Sequence, residues 1–194
     1  VGTEDEPFTG SFDGKGFIIQ NLTIVDTFMY VGLFGYSSVE ISDVHILDAD
    51  YNIPNENYRL SNYVGGIVGF GDVRNCSWDG NLVVRAGQYV GGIVGRGSAR
   101  NCISSGSIAV QNINYNSQSN PNSSGYIGGI AGSGNIIEGC YSNTYMDISG
   151  TVYSNSTGAI GTTGNISTGK IAGRAQNIKN CYSHSTGRVL NSSL

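Results

Sequence analysis

The sequence is short of what a helical bundle or a familiar catalytic centre would need. Charged residues make up 12 % of the 194 residues, about half the usual share. There are three prolines, two methionines, one tryptophan and two histidines. No run reaches the roughly 18–20 apolar residues of a membrane-spanning helix, so membrane insertion is not expected. His45 and His184 stand apart with no H-E-x-x-H pair, which removes the zinc-peptidase arrangement. A G-x-S-x-G elbow is missing, and "GSGN" and "GRGS" lack the G-K-[ST] ending of a phosphate loop. Four cysteines occur without a C-x-x-C pair. The chain opens on Val1 without a signal peptide, and the expectation is a piece of a longer protein, whose targeting signal would lie elsewhere.

Glycine is abundant, at 30 residues, together with Asn and Ser. Such a composition suits disorder, but Val and Ile recur too regularly for that. Net charge is −4 with a pI near 5.0, which argues against a nucleic-acid partner. Residues 1–80 carry twelve acids and three bases, whereas residues 81–194 carry two acids and seven bases. Either the charge drifts along an elongated molecule, or the basic half meets something anionic, such as an acidic glycan or a neighbouring domain.

A glycine-rich unit recurs: "VGLFG" ending at Gly35, "VGGIVG" at Gly69 and Gly95, "IGGIAG" at Gly132 and "TGKIAG" at Gly173. The intervals are 34, 26, 37 and 41 residues. A cysteine follows at an offset of 7 or 8, giving Cys76, Cys102, Cys140 and Cys181, while Val44 takes that place in the first copy. A short G-x-[IV] segment comes next. Three short apolar segments per repeat, separated by Gly, Asn and Ser turns, are too short for helices. A 26-residue copy is also too small for a four-stranded propeller blade. The expected fold is therefore all-β: a repeat-built parallel β-helix (β-solenoid) of about five coils, forming one domain over residues 1–194. Residues 1–24 would be an N-terminal cap and lead-in strand, with repeats marked at 31–35, 64–69, 90–95, 127–132 and 168–173. Insertions are expected at 45–63, 111–125 and 150–167. In "VGGIV", alternation should send Val and Ile one way and Gly the other, the small residues permitting tight packing at a corner.

These landmarks resemble the GLUG-motif repeats of bacterial secreted and surface proteins. The match consists of "VGLFG" and "VGGIVG", then "RNC", then G-x-I or G-x-V, with "PFTGSFDGKGFIIQNLTI" as a similar lead-in. Lys170 stands where a second glycine is expected. The resemblance implies an extracellular or cell-surface location. It also implies adhesin-like use, or company with immunoglobulin-A-type peptidases and carbohydrate-active enzymes. Partners would be a glycan or host surface protein and the other domains of the parent chain.

Stacked coils would place the cysteines in one column, the first and last about 14 Å apart, too far to share a zinc ion. No metal and no cofactor is expected. Buried free thiols fit such a column, as do bridges between consecutive coils, such as Cys76–Cys102 with Cys140–Cys181. Asn75, Asn101 and Asn180 form a second column suited to left-handed turns and stacked amides. Arg74, Arg100 and Lys179 precede them, with Glu138 in the fourth copy; like charges stacked this closely should face water, or else form an anion-binding stripe. Tyr63, Tyr89 and Tyr126 should stack as a ladder. Trp78, Tyr115, Asn112 and Asn114 are the candidate binding residues, as ring platforms and amides for a sugar. No residue is assigned a catalytic role. The expected function is a non-catalytic module for adhesion, ligand binding or spacing; the alternative is a carbohydrate-active β-helix enzyme. Such an enzyme would need two acids from successive coils in one groove.

Overall fold

The computed structural model describes residues 1–25, 28–54, 62–85, 88–111, 125–152 and 166–193, and no helix occurs among them. Every named strand pair is parallel, and three sheets share the chain. Sheet 1 contains Tyr30–Val31, Tyr63–Gly65, Tyr89–Gly91, Gly125–Gly128 and Ile166–Gly169. Sheet 2 follows in each coil, as in Val94–Arg100, Ala131–Glu138 and Ala172–Lys179. Sheet 3 completes the turn with His45–Ile53, Ser77–Arg85, Ile103–Gln111 and Tyr141–Val152. In the fifth coil it splits into Tyr182–Ser183 and Thr186–Ser193. The protein is a parallel β-helix of five coils. Beneath them lies a partial coil of Phe12–Asp13, Ile18–Gln20 and Thr23–Val25, with strands in sheets 2 and 3 only.

Register explains why apolar positions recur. Val64, Val90 and Ile127 stack in sheet 1. Val73, Ala99 and Ile137 do so in sheet 2, and Leu82, Ile108 and Met146 in sheet 3. All are buried, so each column removes apolar surface from water at every coil. Ile67, Ile93 and Ile130 fill the corner between sheets 1 and 2. A polar seam interrupts this core. Ser104 donates to the Gly129 carbonyl, and Ser142 meets the Ser185 hydroxyl at 2.8 Å and Thr144 at 3.2 Å. Partnered in this way, the buried hydroxyls avoid the cost of an unsatisfied polar group.

The marker glycines do something other than alternate outward. A side chain on Gly69 would meet Gly35 O at 2.6 Å, Val31 N at 2.7 Å and Tyr63 O at 2.8 Å, all backbone atoms. Sheets 1 and 2 therefore run almost backbone to backbone beside the corner, which only glycine permits. The second glycine, Gly66 or Gly92, instead faces Trp78 or Ser104 from sheet 3. Lys170 replaces it in the exposed last coil.

The corner between sheets 2 and 3 is made by Asp43, Asn75, Asn101, Gly139 and Asn180, with φ of 57°, 54°, 54°, 63° and 51°. Asn and Gly tolerate this left-handed conformation better than other residues. Part of the expected insertion at 45–63 is strand, since His45–Ile53 belongs to sheet 3. Residues 150–152 and 166–167, at the edges of the third expected insertion, are strand as well.

Candidate functional site

The four cysteines begin the third face of successive coils, and all four are free thiols. Cys76, Cys102 and Cys140 are buried, while Cys181 is half-buried at the last coil. Each thiol lies 3.2–3.3 Å from the carbonyl two residues before it. Side-chain hydrogen bonds with Cys140 and Cys76, with burial added, push the Cys102 thiol far up, so it stays protonated. Among the described residues, no three His, Cys, Asp or Glu side chains gather closely enough to hold a metal ion.

The Asn column carries an amide ladder at its lower end. Asn75 Nδ2 donates to Asp43 Oδ1 at 3.2 Å, and Asn101 Nδ2 to Asn75 Oδ1 at 3.3 Å. Gly139 interrupts it. The basic column beside it is no anion stripe over its first coils. Glu40 bridges Arg74 at 2.9 Å and Arg100 at 3.5 Å, and Glu138 stands between Arg100 and Lys179 in register. Carboxylates thus interleave with the bases of a column that was expected to face water or to bind an anion.

Trp78 cannot be a sugar platform. It is 1 % exposed, aligned with Ile46 and Ser104 on the inner side of sheet 3, and packed on Tyr51 with ring centroids 6.1 Å apart. Strand parity explains this: Cys76 points inward, so the residue two further on must too. Tyr115, Asn112 and Asn114 lie outside the described residues.

The surface of sheets 1 and 2 carries the expected tyrosine ladder and, beside it, a column that the sequence reading missed. Tyr30, Tyr63, Tyr89 and Tyr126 stack along the axis with centroids 4.8, 4.6 and 5.5 Å apart and interplanar angles of 6–20°. A second column runs beside it, Tyr36, Phe70, Arg96, Ser133 and Arg174, one from each coil and in register. Tyr36 and Phe70 stack at 4.5 Å. Arg96 Cζ lies 5.8 Å from the ring centroids of both Phe70 and Tyr89, and Arg174 Cζ 5.7 Å from that of Tyr126. A groove of about 330 Å³ opens here, its lining including Phe70, Asp72, Tyr89, Arg96, Ser133, Asn135, Arg174 and Gln176. The signal was present in the sequence, because each member directly follows the last glycine of its marker. Its variable identity concealed it.

Two properties define this groove. Among the described residues neither Arg96 nor Arg174 has a carboxylate partner, whereas Arg74, Arg100 and Arg188 do. The inner tyrosines have both faces covered by their neighbours, so they offer ring edges and hydroxyls rather than open faces. Tyr30 donates its hydroxyl to Glu4 at 3.0 Å. Burial pushes the Tyr89 phenol above its ordinary value, with the Arg96 and Arg174 charges opposing, so it remains a donor.

The acids are mostly engaged elsewhere. Asp50 accepts from Asn81 at 3.1 Å, Asn81 accepts from Ser107 at 2.6 Å, and Ser105 donates to Asp79. Glu40 and Asp72, from successive coils, do line one shallow depression of about 230 Å³ beside Tyr36 and Phe70. Glu40 is held by two arginines, and Asp72 Oδ1 accepts the Ser98 backbone N–H at 2.7 Å.

Fold and surface together define the class: a parallel β-helix with an aromatic and arginine-lined groove along its axis. Comparison with family models, curated proteins and solved structures returns no match to this chain.

Proposed function

We propose that this β-helix is a non-catalytic binding module of a secreted or surface-attached protein, acting in adhesion and engaging an extended ligand along its axis. The observation that supports it is the groove. Two exposed cations, without carboxylate partners among the described residues, and a row of half-buried phenols stand outside the core, aligned coil by coil. A repeating surface suits a repeating ligand, such as a glycan. The phenols present amphipathic edges, a common feature of recognition surfaces. The test is a glycan array probed with the labelled chain. The proposal expects linear glycans to be retained, and retention of none would refute it.

A second reading, a carbohydrate-active enzyme, draws on the Glu40 and Asp72 pair beside two rings. An acid–base pair needs carboxyls free to exchange protons with substrate, and both of these are tied to protein donors. Incubating the chain with linear polysaccharides and assaying for new reducing ends separates the two readings: the binding module produces none, and an enzyme produces ends that the Glu40→Gln variant does not.

A further inference from the structure

The donors in the groove point to a charged ligand. Guanidinium groups and phenol hydroxyls donate, and the ring faces that would stack on a neutral sugar are occupied by neighbouring rings. Guanidinium matches carboxylate and sulfate through paired N–H donors. Asn135, Gln176 and Ser133 add neutral partners suited to hydroxyls between the charges. Apart from Phe70, Gly71 and Asp72, the groove is lined from the basic half of the chain, where residues 81–194 carry seven bases and two acids.

Spacing narrows the ligand further. Arg96 and Arg174 occupy the same column two coils apart, with Ser133 between them. Two coil steps amount to roughly 9.5 Å. Same-side side chains of an extended peptide repeat at roughly 6.7 Å, which fits neither one step nor two. One pyranose ring of an extended chain advances about as far as one coil, so two steps match anionic groups on alternate rings. Asp72 sets a limit at the Phe70 end: its carboxylate would repel a third anion there, so charge recognition runs from Arg96 toward Arg174.

Resting on the binding-module reading, we infer that this groove holds a linear acidic polysaccharide along the solenoid axis, Arg96 and Arg174 pairing with anionic groups on alternate rings and Ser133 and Asn135 meeting the neutral ring between. The field of unpaired arginines also attracts such a chain before contact, so binding weakens as salt rises.

Titration calorimetry on the intact 194-residue chain tests this. The probes are hyaluronan oligosaccharides (a carboxylate on every second ring), keratan sulfate (sulfate esters and no carboxylate), neutral cello-oligosaccharides and poly-glutamate. The inference expects hyaluronan or keratan sulfate to bind, identifying carboxylate or sulfate as the anion, and cello-oligosaccharides to bind at least tenfold more weakly. Arg96→Gln and Arg174→Gln should each weaken the favoured probe about tenfold or more, the effect of a lost charge-assisted pair. Arg74→Gln, whose native side chain pairs with Glu40, should bind as the parent does. Both test residues are exposed, so unchanged circular dichroism separates lost binding from lost fold. Equal binding of neutral and acidic glycans, with both groove variants unaffected, would overturn the inference and leave the module reading standing. Binding of poly-glutamate in preference to every glycan would overturn it in favour of an acidic protein partner. Binding of no probe here and no glycan on the array would sink both.

Discussion

Gly69→Ala inserts one methyl group where sheets 1 and 2 run backbone to backbone. The new Cβ would lie 2.6–2.8 Å from Gly35 O, Val31 N and Tyr63 O, where ordinary contact begins at 3.4 Å. Each neighbour must retreat by more than half an ångström, and none can do so by rotating a side chain. Gly35 belongs to the ladder of the coil below, while Val31 and Tyr63 belong to sheet 1. Relief therefore means prising two hydrogen-bonded ladders apart. Overpacking in a core costs about 1–3 kcal/mol and occasionally more; an obstacle made wholly of backbone belongs at the upper end, about 3 kcal/mol. For a chain of this length that lowers Tm by roughly 6–12 °C. Thermal unfolding followed by far-ultraviolet circular dichroism measures it, with Gly10→Ala as control. Gly10 is exposed and its nearest neighbours are Phe8 ring atoms at 3.4 and 3.6 Å, so that change should stay within about 0.5 kcal/mol. A Gly69→Ala protein melting within about 2 °C of the parent would refute the close approach of the sheets.

Thiol labelling of the native chain should modify Cys181 first and leave Cys76, Cys102 and Cys140 protected; unfolding without reductant should expose all four, and fewer than four would reveal a bridge. Asn101→Ala should cost about 1–2 kcal/mol in urea unfolding, because alanine resists a φ of 54° and the amide to Asn75 is lost. Asn101→Gly should cost less, since Gly139 fills the same corner one coil on. The Arg188 guanidinium at 2.8 Å holds Asp147 below the usual carboxylate range. A depressed folded value contributes stability that is present above the unfolded value, near pH 4, and lost as pH falls through the folded one. The stability difference between parent and Asp147→Asn, followed by urea unfolding across pH, should therefore be present at neutral pH and vanish in acid. Because the pair is exposed, salt should shrink it.

How far the sequence could be read depends on whether a signal repeats. The coil count and the cysteine and asparagine columns were legible because stacking requires the same residue type at each level: Cys76 above Val44, Asn75 above Asp43. The inward place of Trp78 was legible in principle from Cys76 and strand parity, but its rarity made it look like a ligand platform. Glycine was the harder case. Sequence shows that the position tolerates no side chain, while only coordinates show that backbone from the next sheet and the next coil fills the space at Gly69. The groove was least legible, because its column reads Tyr, Phe, Arg, Ser, Arg and carries no repeated letter. A functional surface need not repeat, since solvent, unlike a neighbouring coil, imposes no fit.

The most direct test of the account is where a bound glycan touches the chain. Hydrogen–deuterium exchange with and without a saturating acidic oligosaccharide maps that contact. The account predicts slowed exchange along Tyr89–Gly91, Val94–Arg100, Ala131–Glu138 and Ala172–Lys179, with Ser77–Arg85 and Ile103–Gln111 unchanged. Protection confined to sheet 3 or to residues 112–124, with sheets 1 and 2 unaffected, would contradict it.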